Sequence, residues 1–223
     1  MGYGISVLIS GSRACFTRPE FKAERMSYDV ITPSAARGII EAVYWKPAIC
    51  WQIDRIVVIN EIRFETFRRN EVESKLSYAN AKKAERGTAK MPYLVATQAR
   101  QQRATTLLRD VSYVVDAHFE MTDRAGADDT REKHFNIALR RLRKGQCFSQ
   151  PCLGCREFPA TVSLLDDGYE PRSFYADVQE KDFGFMLYDM DFTNPACPVP
   201  LFYRAVMRQG VIDVASARGG LRS

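Results

Sequence analysis

"DTREKHFNIALRRLRKG", residues 129–145, decides how this chain folds. At helical spacing Phe135, Ala138, Leu139 and Leu142 share one face and Gly145 is a stop, so the segment predicts an amphipathic helix. Strand-like segments flank it. "VSYVVDAHFEM" (111–121) alternates apolar and polar residues before it, and "FPATVSLL" (158–165) follows it. Further upstream, "WQIDRIVVINEIRFE" (51–65) reads as a strand, "ITPSAARGIIEAVYW" (31–45) as a helix and "YGISVLIS" (3–10) as a strand. In the first helix Thr32 suits the N-cap and Pro33 the first helical position. Ala36, Ile39, Ile40 and Val43 form its apolar stripe, and Pro47 ends it. The order β-α-β-β-α-β predicts an α+β, ferredoxin-like domain of the kind that also underlies the RNA recognition motif.

The stretch between the second and third strands, about 67–108, is too long for a hairpin. It reads as a basic insertion, part helix and part mobile loop. From residue 166 the chain changes character. "FYADVQEKDFGFMLYDMDF" (174–192) and "PLFYRAVMRQGVIDV" (200–214) predict a small antiparallel β-sheet domain over 166–223, with "RQG" as a tight turn and "ASARGGLRS" as a disordered tail. The expected domains are therefore 1–165 and 166–223.

Composition fits a soluble globular protein: 223 residues, 46% hydrophobic and 26% charged. The chain has no apolar run long enough for a bilayer, and its first residues lack the basic start and apolar centre of a signal peptide. A cytoplasmic location and no membrane partner are the expectation. Six cysteines without an even framework fit a reduced compartment. The net charge of +5 is unevenly spread. Residues 66–106 carry nine Lys/Arg against three Asp/Glu, residues 130–144 six against one, and residues 163–191 two against eight. Two basic blocks and one acidic block suit a polyanion on one side and a protein partner on the other.

On the helix at 131–143, Lys133, Arg140 and Lys144 line up, with His134 and Arg141 beside them. All five avoid the Phe135/Leu139/Leu142 face, so His134 is expected to stand exposed on a cationic ridge. Such a ridge can hold phosphates, and an imidazole can move a proton near neutral pH. Composition alone favours the plainer reading, a solvated basic helix with a chance histidine. "EAVYWKPAICW" (41–51) ends the first helix with Tyr44, Trp45 and Lys46, a set able to stack a base and hold its phosphate. Trp45 and Trp51 fit better as core or hinge residues, and a buried Tyr44 needs a partner for its hydroxyl. Lys82, Lys83, Arg86 and Lys90 in the insertion are expected to make phosphate contacts without reading sequence. His118 sits in an alternating strand and reads as a packed histidine. Cys147, Cys152 and Cys155 form no second CxxC pair, and a fourth ligand would have to be His134 or Cys197, so no metal is expected. Nor is there a phosphate-loop glycine motif, a convincing carboxylate cluster or a nucleophile elbow, so no cofactor is expected.

"SYDVITPSAARGIIEAVYWKP", "VSYVVDAHFEMT", "REKHFNIALRRLRKGQCFSQPCLGCREFPA" and "DFGFMLYDMDF", in that order, resemble the Dvulg-subtype CRISPR-associated Cas5 proteins of type I-C systems. The combination "YWKP … KHF … LGCREFPA" is specific, and the likeness spans most of the chain. The insertion over 67–103 is the least family-typical part. The resemblance implies a ferredoxin-like domain with a small C-terminal sheet domain. It implies an endoribonuclease that cuts precursor CRISPR RNA within each repeat and stays on the 5′ handle of the mature crRNA, at one end of the type I-C Cascade complex beside its backbone and large subunits. It places the catalytic residues at Tyr44, Lys133 and His134. Those residue types suit metal-independent cleavage by the ribose 2′-OH, giving 2′,3′-cyclic phosphate and 5′-OH ends. Which of Tyr44 and His134 is the base stays open in the sequence. Two other readings are a non-catalytic subunit that binds the crRNA handle and non-specific binding of duplex DNA through the insertion.

Overall fold

The computed structural model describes residues 3–21, 23–165, 171–194 and 196–222. Alternation in the sequence becomes a two-faced sheet. Strand β1 (Gly4–Ala14) buries Ile5, Val7 and Ile9 and leaves Ser6, Leu8 and Ser10 partly covered on the other face. Strand β2 (Ile49–Val58) buries Trp51, Ile53 and Ile56, and β4 (Arg100–Met121) buries Tyr113, Val115, Ala117 and Phe119. Helix α1 (Pro33–Val43) contributes Ala36, Ile39, Ile40 and Val43 to the same core. Thr32 caps it by accepting from the Ala35 N–H at 3.2 Å, with Pro33 opening the first turn. Helix α3 (Arg131–Arg143) starts in the same way, with Thr130 Oγ1 accepting from the Lys133 N–H at 3.2 Å.

The remaining elements in chain order are β3 (Arg63–Val72), α2 (Tyr78–Glu85), β5 (Thr161–Leu164), β6 (Lys181–Asp191), β7 (Val199–Arg208), β8 (Val211–Asp213) and α4 (Val214–Ala217). The strands form one eight-stranded sheet in the order β5-β1-β4-β2-β8-β7-β6, with β3 on β4, and every ladder is antiparallel. The fold is thus mixed, with a large antiparallel sheet. Among the described residues no helix is long and apolar enough to cross a membrane.

Three expectations are corrected. Residues 67–108 are not an insertion throughout, because both ends of the stretch, 67–72 and 100–108, extend the sheet. β4 runs back to Arg100 and pairs with β3 from Val72↔Arg100 to Arg63↔Arg109. It bends at Asp110 (φ +52°) and then pairs with β2 from Tyr113 onward. Asn60 Nδ2 donates to the Asp110 carbonyl at 2.7 Å and holds this bend. Only α2 and the segment up to residue 99 form an excursion, at the tip of the β3–β4 ribbon. The polar, charged sequence of β3 hid it, because a ribbon with few neighbours has no apolar face to alternate.

Second, the C-terminal strands do not make a separate sheet. β8 lies on β2, pairing Arg55↔Asp213, Ile56↔Ile212 and Val57↔Val211, so one hydrogen-bonded surface runs through both halves. The expected domain boundary meets residues 166–170, which lie outside the described residues. The turn at "RQG" is a two-residue hairpin with Gln209 at φ +50° and Gly210 at φ +84°. A Cβ on Gly210 would fall within 2.1 Å of Ser173 Oγ, so only glycine fits there.

Third, residues 215–222 are ordered where a disordered tail over 215–223 was expected; Ser223 lies outside the described residues. Asp213 caps α4, and a 3₁₀ turn follows at Arg218–Gly220. Arg218 then donates to the Ile53 carbonyl at 2.8 Å and pairs with Asp54 at 3.0 Å. Arg222 and Phe202 exchange backbone hydrogen bonds at 2.7 and 2.9 Å. The glycine and arginine content suggested disorder, but two arginine residues tie the segment to the sheet.

Candidate active site

Tyr44 is the C-cap of α1. Its backbone is extended (φ −152°, ψ 121°), its N–H closes the helix on the Ile40 carbonyl at 2.9 Å, and its carbonyl accepts from Trp51 Nε1 at 2.8 Å. Trp51 is buried in β2, so this contact fixes where the tyrosine leaves the helix. The Tyr44 side chain is 2% exposed and points to the first turn of α3, where its Oη lies 2.7 Å from His134 Nδ1. The ring of Phe119, from β4, stands edge-on to the imidazole at 6.4 Å.

His134 is also 2% exposed, which overturns its expected place on an exposed ridge. It precedes Ala138 and Leu142 by four and eight residues, and those three are the buried residues of α3. Its other nitrogen, Nε2, has a carboxylate oxygen at 3.2 Å, Oδ1 of Asp129, at ion-pair distance but without hydrogen-bond alignment. A carboxylate there favours the proton on Nε2, which leaves Nδ1 to accept from the Tyr44 hydroxyl. The tautomer is assigned from these partners.

Asp129 gathers the cluster. Its Oδ2 accepts from the Gly126 N–H at 3.1 Å, and its Oδ1 takes Lys133 Nζ at 3.5 Å. The Gly126 hydrogen bond, then Lys133 and His134, hold its carboxyl below the usual range. Lys133 also donates to the Asp128 carbonyl at 3.0 Å and keeps an exposed side chain. Arg141 donates to the Val43 carbonyl at 2.7 Å and lies 5.2 Å from the centre of the Tyr44 ring. Burial pushes the Tyr44 phenol up, Arg141 opposes that shift and Asp129 adds to it. Tyr44 is therefore a proton donor at neutral pH. The cluster holds an imidazole acceptor, a phenol donor, an ammonium and a carboxylate that orients two of them, the parts needed to move a proton beside an anion.

Of the residues singled out in the sequence, the structure brings Tyr44, His134 and Arg141 into contact and joins Lys133 to them through Asp129. Lys46, two residues after Tyr44, and Arg140 and Lys144, in the last turn and at the C-cap of α3, are exposed. Lys82, Lys83, Arg86 and Lys90 are exposed on and after α2, at the end of β4 opposite to Phe119, and do not join the cluster. Of the two tryptophans expected in the core or at a hinge, Trp51 is in the core and Trp45 is 50% exposed directly after the helix. His118 Nδ1 pairs with Asp54 Oδ2 at 2.6 Å. Cys147 and Cys197 are exposed, and the neighbouring Cys15 thiol holds the Cys155 thiol below its usual range, with Arg25 assisting. Among the described residues no group of three or more His, Cys, Asp or Glu could hold a metal ion. The sequence reading missed Asp129, although it stands four residues before Lys133 and just ahead of the N-cap.

Three comparisons with known proteins concern the chain as a whole. Residues 4–215 match the family Cas_Cas5d, CRISPR-associated protein (Cas_Cas5). The CRISPR pre-crRNA endoribonuclease Cas5d of Mannheimia succiniciproducens is 50% identical over 217 residues, covering 96% of both chains. That of Thermus thermophilus is 38% identical over 231 residues, covering 96% of this chain and 92% of the relative. A solved crystal structure of a CRISPR-associated protein superposes with a TM-score of 0.73 at 26% identity, covering 100% of this chain and 97% of that one.

Proposed function

The chain belongs to the Cas5d family of CRISPR-associated proteins, and from that premise we propose that it cuts precursor CRISPR RNA at the Tyr44, Lys133 and His134 cluster. It is an endoribonuclease of that family. The observation that carries the site is the 2.7 Å contact between Tyr44 Oη and His134 Nδ1, two residues 90 positions apart. Pattern alone gives no reason for a buried phenol to meet a buried imidazole between two helices.

The reaction follows from the groups. The RNA takes the place of the Tyr44–His134 contact, and the ribose 2′-OH gives its proton to His134 Nδ1. The 2′-oxygen bonds to phosphorus, the bond from phosphorus to the 5′-oxygen breaks, and that oxygen takes the Tyr44 proton. Lys133 leaves Asp129 to hold a non-bridging oxygen, where charge builds in the transition state. Asp129 holds the Nε2 proton and balances the imidazolium. When Tyr44 and His134 meet again, the imidazolium returns the proton to the phenolate. The ends are a 2′,3′-cyclic phosphate and a 5′-OH, and no step calls for a metal.

The same reading assigns the fold around the site. The strands β1, β2, β4 and β5 stand in the order β5-β1-β4-β2 with α1 and α3 between them in sequence, which supports a ferredoxin-like unit over residues 1–165. Lys46, Arg140 and Lys144 take no part in the chemistry and suit retention of the 5′ handle, and with it a place at one end of the type I-C complex beside its backbone and large subunits. Lys82, Lys83, Arg86 and Lys90 supply phosphate contacts on RNA, and the same charges suit a duplex.

Two tests belong here. Asp129→Asn removes the charge that fixes the imidazole, and an amide can turn its oxygen or its NH₂ to Nε2. Single-turnover cleavage slows on the order of 10²-fold, while RNA affinity holds or rises because a negative charge is gone. Unchanged cleavage would remove Asp129 from the account. Replacing Lys82, Lys83, Arg86 and Lys90 together by alanine lowers RNA affinity and flattens its salt dependence by about one unit of log–log slope per lost contact. A slope equal to wild type in a fluorescence-polarisation titration would show that these lysine and arginine residues do not touch the RNA.

A further inference from the structure

Two large side chains beside the cluster have no part in it. Phe148 is 85% exposed and Trp45 is 50% exposed. Both are anchored at the same end of α1. Trp45 directly follows the C-cap Tyr44, and the Phe148 N–H donates to the Ala42 carbonyl at 2.8 Å. The Ser149 N–H bonds the same carbonyl at 3.2 Å. Backbone hydrogen bonds thus hold the Phe148 main chain in place while its ring stands in water.

The surroundings are cationic. Lys46 follows Trp45, and Arg140, Arg143 and Lys144 are exposed on the last turn of α3, four residues before Phe148 at the nearest. None of these four has an ion-pair partner among the described residues. A groove of about 240 Å³ opens along the segment leading to Phe148, lined by Val43, Arg141, Gln146 and Gln150. Its amides suit the edge of a nucleobase. Anchored aromatic rings beside unpaired cations are what single-stranded nucleic acid needs, since every base has a stacking face and every phosphate a charge. A protein partner would be expected to meet fewer lone cations at the centre of its contact.

We propose that Trp45 and Phe148 are nucleobase-stacking residues that hold the bases of the RNA strand flanking the scissile phosphate. The inference rests on the reading of Tyr44 and His134 as the cutting site. It adds a binding element that positions single-stranded RNA there and sets which bases lie beside the cut.

The test uses the two tryptophans of the chain. Trp51 is 1% exposed, so a change in emission on RNA binding reports Trp45. Titrate the full-length His134→Ala protein with labelled repeat RNA, following tryptophan emission and polarisation together. Emission should fall with the same midpoint as the rise in polarisation, and Trp45→Phe should abolish the change. Phe148→Ala should weaken binding of single-stranded repeat RNA about 5- to 100-fold, Phe148→Tyr should restore it, and neither should move the melting temperature, because the ring is in water. If polarisation reports binding while emission stays constant and Phe148→Ala binds as wild type, the proposal is wrong, the pair serves a protein contact, and the cutting site stands. If polarisation reports no binding, both readings fall.

Discussion

His134→Ala slows single-turnover cleavage of repeat RNA about 10²- to 10⁴-fold, while RNA affinity at the same salt stays near the wild-type value. The rate falls because the proton acceptor is gone. Binding survives because the cations that hold phosphate, Lys46, Arg140 and Lys144 among them, are untouched. The imidazole is buried between α1 and α3, so the variant also loses packing and leaves the Tyr44 hydroxyl without its partner. Rates must therefore be measured well below the melting transition of the variant. His134→Asn separates the two effects, since it offers Tyr44 a polar neighbour without an imidazole. Both variants should be slow, and wild-type cleavage by either would take the acceptor role from His134.

Tyr44→Phe removes one oxygen and keeps the ring under Arg141. Cleavage should fall on the order of 10²-fold or more, because the leaving 5′-oxygen has lost its donor. The same change leaves His134 Nδ1 buried without a partner, at a cost of about 1–3 kcal/mol, which a denaturant titration reads directly. RNA affinity should hold. A variant that loses stability and cuts at the wild-type rate would make the 2.7 Å contact a packing feature. An RNA synthesised with a 5′-thiolate leaving group sharpens the test, since a better leaving group needs no proton. Tyr44→Phe should cut that substrate almost as fast as wild type does.

The two helices and the strands around them were legible because each carries a strong local signal. Thr32 and Thr130 are true caps, and the alternation in β1 and in the second half of β4 marks a face that packs on α1 and α3. β3 and the first half of β4 were not legible, because a solvated ribbon buries too little to leave a pattern. The placement of β8 on β2 is a contact of three residue pairs between distant segments, which no window of sequence can show. At the candidate site, the residue types were visible but their environment was not. His134 lies off the Phe135/Leu139/Leu142 face and so reads as exposed, although its spacing to Ala138 and Leu142 puts it on the buried seam. A histidine is tolerated there because Tyr44 and Asp129 face its two nitrogens, one from another helix and the other from just outside the N-cap. Trp45 is the reverse case: an apolar residue that reads as core or hinge stands 50% exposed directly after the C-cap Tyr44.

The central claim is that protein groups alone drive attack by the ribose 2′-OH. It is tested most directly by cutting repeat RNA with the wild-type protein in excess EDTA and reading the chemistry of both new ends. The account predicts an unchanged rate, a 2′,3′-cyclic phosphate on the upstream fragment and a 5′-OH on the downstream one. A 3′-OH with a 5′-phosphate, or cleavage that EDTA abolishes and a divalent metal restores, would contradict it.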